Sequence, residues 1–346
     1  MPKLDLTHPH LSADTHSHPP SHEHSHGHTH GVIDPSILTS KRGIWALKWS
    51  LIGLIATAIL QAVIVYYSGS VALLADTIHN VGDALTAIPL WLAFRMSTWK
   101  PTKRFTYGYG RVEDLAGIAI VLTILFSAVL AGYESINRLF HPQAVQFLWA
   151  VVAASLIGFA GNEIVAVFRI NVGNEIGSAA LIADGHHARI DGLTSLAVFF
   201  GAVGVYLGFP LADPLVGLAI TVAILRIVWS SGKEVFTRAI DGIDPAIPDE
   251  IRDAAVHTEG VKDVTEVRVR WIGHRLHAEV NVAVDPELSV EAGHVIAKEV
   301  RHQLLHHLTY LSNAVVHVDP LNASGEEHHH VRGHDYGDLT PHRHDK

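Results

Sequence analysis

His79-Asn80-Val81-Gly82-Asp83 and His187-Ala188-Arg189-Ile190-Asp191 each set a histidine and an aspartate four residues apart inside a long apolar run. On a helix that interval stacks the two side chains on one face. Two such helices side by side present two imidazoles and two carboxylates. These are the ligand types and number of a tetrahedral divalent-metal site, zinc most naturally. Ionisable groups deep in a membrane are costly and commonly mark an ion path. The competing reading is two unrelated intrahelical pairs that only brace helices together; their recurrence on different spans with the same polarity weighs against it. Asp76, Asp184 and His186 lie within about a turn of these residues. His186 sits about 100° around the helix from His187, so only one of the two shares a face with Asp191, and the four-residue interval selects His187. Asp76 and Asp184 read as residues that line the ion entrance, cap helices or stand behind the ligands.

Around these two motifs lies a chain of 346 residues that is 48% hydrophobic, enough for a membrane core plus a small soluble domain. The net charge is −9 with all 27 histidines counted as neutral, and no basic block stands out to neutralise phosphates, which argues against a nucleic-acid partner. Cysteine is absent, so neither disulfides nor thiolate metal sites enter the argument. No signal peptide precedes the first apolar segment.

Residues 1–40 read as a disordered tail rich in His, Ser, Thr and Pro. From 41 to 240 the chain reads as a transmembrane domain with roughly six spans of the ~20-residue length a bilayer requires. They fall near Ile44–Tyr66, Leu73–Phe94, Leu115–Ile136, Phe147–Phe168, Ser178–Leu207 and Pro214–Phe236. Lys41, Arg42 and Lys48 flank the first span, and Arg95, Lys100, Lys103, Arg104 and Arg111 follow the second. Arg169 is read as following the fourth span, and Lys233 and Arg238 as ending the sixth. The opposite loops carry only Arg138, so the positive-inside rule places both termini in the cytoplasm.

Residues 241–321 change character. Ile247–Val256 reads as a helix, Val264–Trp271 and Leu276–Val284 as strands, Ser289–Leu305 as a capped helix and Ala314–Val318 as a last strand. This α-β-β-α-β order predicts an α+β domain of ferredoxin-like, metallochaperone-like type, with helices on one face of a small sheet. At roughly 80 residues such a domain is marginal alone, and dimerisation would support it. A second His-rich tail covers 322–346.

Ala75–Leu85 (ADTIHNVGDAL), Ala183–Ser195 (ADGHHARIDGLTS) and Ala212-Asp213-Pro214 resemble the cation diffusion facilitator transporters over about residues 41–320. The resemblance implies a six-helix membrane domain, a cytoplasmic metallochaperone-like domain, a homodimer, and proton-coupled export of divalent metal. Histidine in both motifs accompanies zinc preference in that family, with cobalt or cadmium as companions. It further implies a second, regulatory zinc site in the cytoplasmic domain, for which His277, His294, His317 and Asp319 stand as candidates; scattered surface histidines are the alternative. His277 matches less well than the others, and Thr265 occupies a position where relatives often have another histidine. His257, His274, His302, His306 and His307 carry only a weak case. Arg111 and Asp241 match a charge pair that links the third helix to the start of the cytoplasmic domain in relatives. A further family site, in the loop after the second helix, is occupied here by Phe105, Thr106, Tyr107 and Tyr109, so no metal is expected there. Glu113, Asn162, Glu163 and Asp213 read as helix-packing or proton-access groups.

The chemistry of export also follows from the ligands. A ligating histidine must be deprotonated, so protons and metal compete for one nitrogen. A site exposed alternately to two sides then exchanges one for the other. No phosphate-binding GxxxxGK[ST] loop is present, and no HExxH motif or open coordination position points to an enzyme. No organic cofactor is expected. Nine histidines between His8 and His30, and His328, His329, His330, His334, His342 and His344 at the other end, read as loose metal collectors. The compact loops suit a bacterial plasma membrane. A cobalt, nickel or cadmium exporter, or a membrane metal sensor or store without flux, remain the alternatives.

Overall fold

The computed structural model describes residues 35–68, 77, 87–140, 147–209 and 211–325. Six helices precede the cytoplasmic domain in this description: α1 (Pro35–Ser68), α2 (Ala87–Ser97), α3 (Arg111–Phe140), α4 (Leu148–Ile176), α5 (Ala179–Tyr206) and α6 (Ala212–Ala239). Five of them, α1 and α3 to α6, are long and apolar enough to cross a membrane. Helix α2 is the described part of the span expected over Leu73–Phe94. His79 and Asp83 belong to the remainder and lie outside the described residues, as do residues 1–34 and 326–346, which hold the histidines of both tails.

The helix surfaces invert the rule for soluble proteins. Ile59, Phe126, Ile164 and Val222 are exposed on the bundle's outside, which suits a hydrocarbon surround. Tyr66, Tyr133, Trp149 and Tyr206 gather towards the ends of α1, α3, α4 and α5 that lie away from the cytoplasmic domain, as interfacial aromatic residues do. Inside, Leu47, Leu90, Phe94, Ile120, Ile124, Ile176, Leu181, Ile190 and Ile224 form one core. Helix α1 begins at Pro35, inside the segment read as tail, with proline in the first turn where its missing N–H costs nothing.

Helices α4 and α5 form a tight antiparallel pair. A Cβ at Gly185 would stand 2.7 Å from Ile170 Cγ1 and 3.0 Å from the Ile170 backbone nitrogen, so the approach depends on glycine there. The pair is joined through Gly177 and Ser178, whose hydroxyl accepts the Leu181 N–H at 3.1 Å and caps α5.

Helix α4 also corrects one reading. It continues to Ile176, so Arg169 is no loop charge after the fourth span. It is 1% exposed and buried inside the bundle. A span boundary drawn at the first charge fails when a distant residue compensates that charge.

The cytoplasmic domain runs α7 (Ala246–Val256), β1 (Asp263–Ile272), β2 (Arg275–Val284), α8 (Val290–His307) and β3 (Leu311–Pro320), the expected α-β-β-α-β order. The sheet order is β1-β2-β3, with β1 antiparallel and β3 parallel to the central β2. Leu276, Ala278, Val280 and Val282 alternate onto one face of β2 and pack with Ile251 and Ala255 of α7 and Val300 and Leu304 of α8. A register shift between Val264 and Glu266 kinks β1.

Candidate metal centre

Helix α5 carries the second His/Asp motif. His187 is 2% exposed, and neither of its ring nitrogens has a hydrogen-bond partner among the described residues. Its Nδ1 lies 3.9 Å from Asp191 Oδ1, one turn on. A buried imidazole normally finds a partner; two nitrogens without one among the described residues, beside a carboxylate, can accept a ligand. His186 is only partly buried, and its Nδ1 also lacks a partner. The other half of the expected set, His79 and Asp83, lies outside the described residues.

Two ion pairs join α4 to α5 around this stretch. Arg189 makes a forked contact to Glu163, with Nη2 2.8 Å and Nε 3.2 Å from Oε1. Deeper in the bundle, Arg169 Nη1 stands 3.0 Å from Asp184 Oδ2, both side chains almost wholly buried. Asp213, at the start of α6, pairs with Arg138 of α3 at 3.1 Å.

The cytoplasmic candidates are dispersed. His317 Nε2 lies 2.9 Å from Asp319 Oδ1 on one face of β3. His277 pairs in register with Asn313, whereas His317 pairs with Asn281, four residues and about 13 Å further along the sheet. His277 instead lies 3.3 Å from Ser312 Oγ. His294 is exposed on α8, next to Gly293, which packs on Val318. Within one protomer the structure therefore does not bring His277 to His317 and Asp319, and no group of three or more potential ligands is gathered among the described residues. In the loop after α2, aromatic rings fill the space: Phe105 and Tyr109 pack with centroids 4.9 Å apart, and Arg270 lies over Tyr107.

Arg111 and Asp241 do meet, Nη2 donating to Oδ1, which ties the start of α3 to the end of α6.

One link between the domains has no counterpart in the sequence reading. The β1–β2 turn, Gly273-His274, inserts into the base of the helix bundle. His274 is 2% exposed; Nδ1 lies 2.6 Å from Glu113 Oε2 and Nε2 2.9 Å from Thr39 Oγ1. Its ring packs on Phe94 with centroids 5.6 Å apart. Gly273 has φ 63°, its N–H donates to Asp114 at 3.3 Å, and a Cβ there would meet Glu113 and the Gly110 carbonyl, each at 2.8 Å; only glycine fits. Ser178 donates to the other oxygen of Glu113 at 2.5 Å. A chain of contacts thus runs from the cytoplasmic hairpin through Glu113 to the N-cap of α5, the helix that carries His187. The available sequence signal was an acidic pair, Glu113-Asp114, opening an otherwise apolar helix.

Comparison with known proteins accords with this architecture. Residues 47–238 match the cation efflux transmembrane domain and residues 243–321 the cation efflux protein cytoplasmic domain. A probable cation efflux system protein of Mycobacterium tuberculosis is 53% identical over 288 residues, covering 83% of this chain and 87% of that protein. The magnetosome protein MamB of Magnetospira sp. is 26% identical over 278 residues, covering 79% of this chain and 94% of its own length. Among solved structures, the MamM CTD in a cadmium form is 29% identical, covering 22% of this chain and 95% of that one, with a TM-score of 0.22. The chain belongs to the cation efflux family, multi-pass membrane transporters of divalent metal whose cytoplasmic domain is a dimerisation domain.

Proposed function

We propose that this protein exports Zn2+ from the cytoplasm in exchange for protons, at one intramembrane site formed by His79, Asp83, His187 and Asp191. The observation that carries the reading is His187: buried in a membrane-spanning helix, both ring nitrogens without a hydrogen-bond partner among the described residues, with Asp191 one turn away. Two imidazoles and two carboxylates suit a tetrahedral zinc ion and neutralise its charge in a medium that penalises charge heavily. Neutral imidazole is required for binding, so a proton arriving from the far side displaces the metal and a proton leaving inward restores the site. The cytoplasmic domain assembles the chain as a homodimer, and His317 with Asp319 supplies at most part of a regulatory zinc site, the rest coming from His294 or the second subunit. Both termini face the cytoplasm, because Lys41, Arg42, Lys100, Lys103 and Arg104 cluster at the bundle end that meets the cytoplasmic domain. A bacterial plasma membrane suits the compact loops. The His-rich tails raise the local metal concentration near the entrance.

The test is zinc movement into sealed vesicles holding the purified protein, wild type against Asp191→Ala. Gradient-driven zinc uptake in the wild type and its loss in the variant are expected. Zinc binding with no flux under any gradient would leave a sensor or store and overturn the proposal.

A further inference from the structure

Asp184, His187 and Asp191 form one stripe on α5. Seven residues separate the two aspartates, which places them within about 20° of each other around the helix. One lies about a turn before His187 and the other about a turn after it. By position alone either carboxylate can reach a metal held by His187. What distinguishes them is Arg169. Asp184 is 0% exposed, and its charge is met by Arg169 Nη1 across the α4–α5 contact. The pair is poorly built for stability: among the described residues, Arg169 Nε and Nη2 are buried without hydrogen-bond partners, and neither Asp184 oxygen meets hydrogen-bond geometry. Desolvating two charges with so few hydrogen bonds costs more than a hydrophobic pair would, so stability does not explain its presence.

We infer that Arg169 is a specificity-determining residue that keeps the Asp184 carboxylate out of the coordination shell of the transported metal. This rests on the transport-site reading above. With Asp184 held, the site offers two nitrogens and two carboxylates, the tetrahedral set that zinc accepts. With Asp184 released, a third carboxylate joins, and an oxygen-rich shell favours harder ions of higher coordination number such as Mn2+. The open Arg169 and Asp184 atoms fit a pair kept for charge placement rather than for bracing. Arg169 touches neither metal nor ligand and acts through Asp184, so its signature is selectivity rather than rate.

The experiment measures Zn2+ and Mn2+ transport by full-length protein in vesicles, for wild type, Arg169→Met, Arg169→Lys, Arg169→Met/Asp184→Asn and Asp191→Ala. Arg169→Met is expected to raise the Mn2+:Zn2+ rate ratio by about tenfold, the lower end of what altering a ligand's surroundings does. Arg169→Lys keeps the wild-type ratio, and the double variant returns to it. A folded Arg169→Met protein that loses both metals in equal proportion would make the pair purely structural and overturn the inference. Should Arg169→Met fail to fold, Asp184→Asn decides: an unchanged ratio and zinc uptake within about twofold of wild type support the inference, whereas a loss of about tenfold or more, the range for disturbing a metal's ligands, would make Asp184 a ligand already and overturn it. Asp191→Ala separates the two readings. If it still transports zinc, the transport-site assignment fails; if it does not while Arg169→Met keeps the wild-type ratio, only the role of Arg169 fails.

Discussion

His187 on α5 and Arg169 on α4 pose opposite problems: among the described residues, one is an imidazole whose nitrogens lack hydrogen-bond partners and the other a cation with two such donors. The first leads to a pH prediction. A protonated imidazole cannot ligate, so zinc affinity falls as pH falls, approaching about tenfold per pH unit for each ligating histidine once the pH is well below the ordinary imidazole range. Titration calorimetry of detergent-solubilised protein at about pH 7.5 and about pH 6 should show zinc weakening by roughly fourfold for one such histidine and roughly fifteenfold for two; equal affinity at both would leave no histidine at the site. His187 and Asp191 were legible in the sequence because two polar residues at helical spacing stand out against apolar neighbours. Arg169 was not. Its compensating charge is 15 residues away on another helix, and in one dimension a buried cation near a span's end looks the same as a loop cation.

At the level of helices and strands, the α4–α5 contact and the Gly273-His274 turn decide how the site is held. Gly185→Ala pushes a methyl against the backbone of Ile170 and should cost about 1–3 kcal/mol by forced separation of the helices, seen as a lower melting temperature together with reduced transport. His274→Ala strips the buried Glu113 carboxylate of its partner, leaving Ser178. Leaving a buried carboxylate short of a hydrogen-bond partner costs about 1–3 kcal/mol or more, and Glu113→Gln added to His274→Ala should recover part of it in a double-mutant cycle. A melting temperature equal to wild type for His274→Ala would contradict the keystone role given to the hairpin. The strands and helices of the cytoplasmic domain were readable from alternation and from the Ser289 cap. Their register was not, since periodicity says which face a residue takes and not which neighbour stands opposite it; the grouping of His277 with His317 rests on the family resemblance, which carries no register for this sheet. The hairpin's insertion into the membrane domain was equally invisible, since one histidine among 27 gives no sign of burial.

On the function proposed above, the tails collect metal that the intramembrane site then binds and releases. Deleting residues 1–30 removes nine histidines and should lower transport at limiting zinc while leaving the rate at saturating zinc unchanged, because collection by mass action matters only when ligand is scarce. Uptake by the truncated protein equal to wild type at every zinc concentration would remove the tail from the path. The family followed from the resemblance of three segments, and the apolar helices and the α+β domain from composition and periodicity; of the six expected spans, five stand complete among the described residues. Coupling between the domains arises from contacts more than 150 residues apart, Glu113 with His274 among them, and only the folded chain displays it. The measurement to make first records zinc and pH together inside vesicles, on one preparation, with the proton gradient imposed in each direction in turn. Zinc flux that reverses with the gradient, accompanied by opposite proton movement and abolished in Asp191→Ala, is the expected result. Zinc flux indifferent to the sign of the gradient, or undiminished in Asp191→Ala, would contradict exchange at a single His/Asp site.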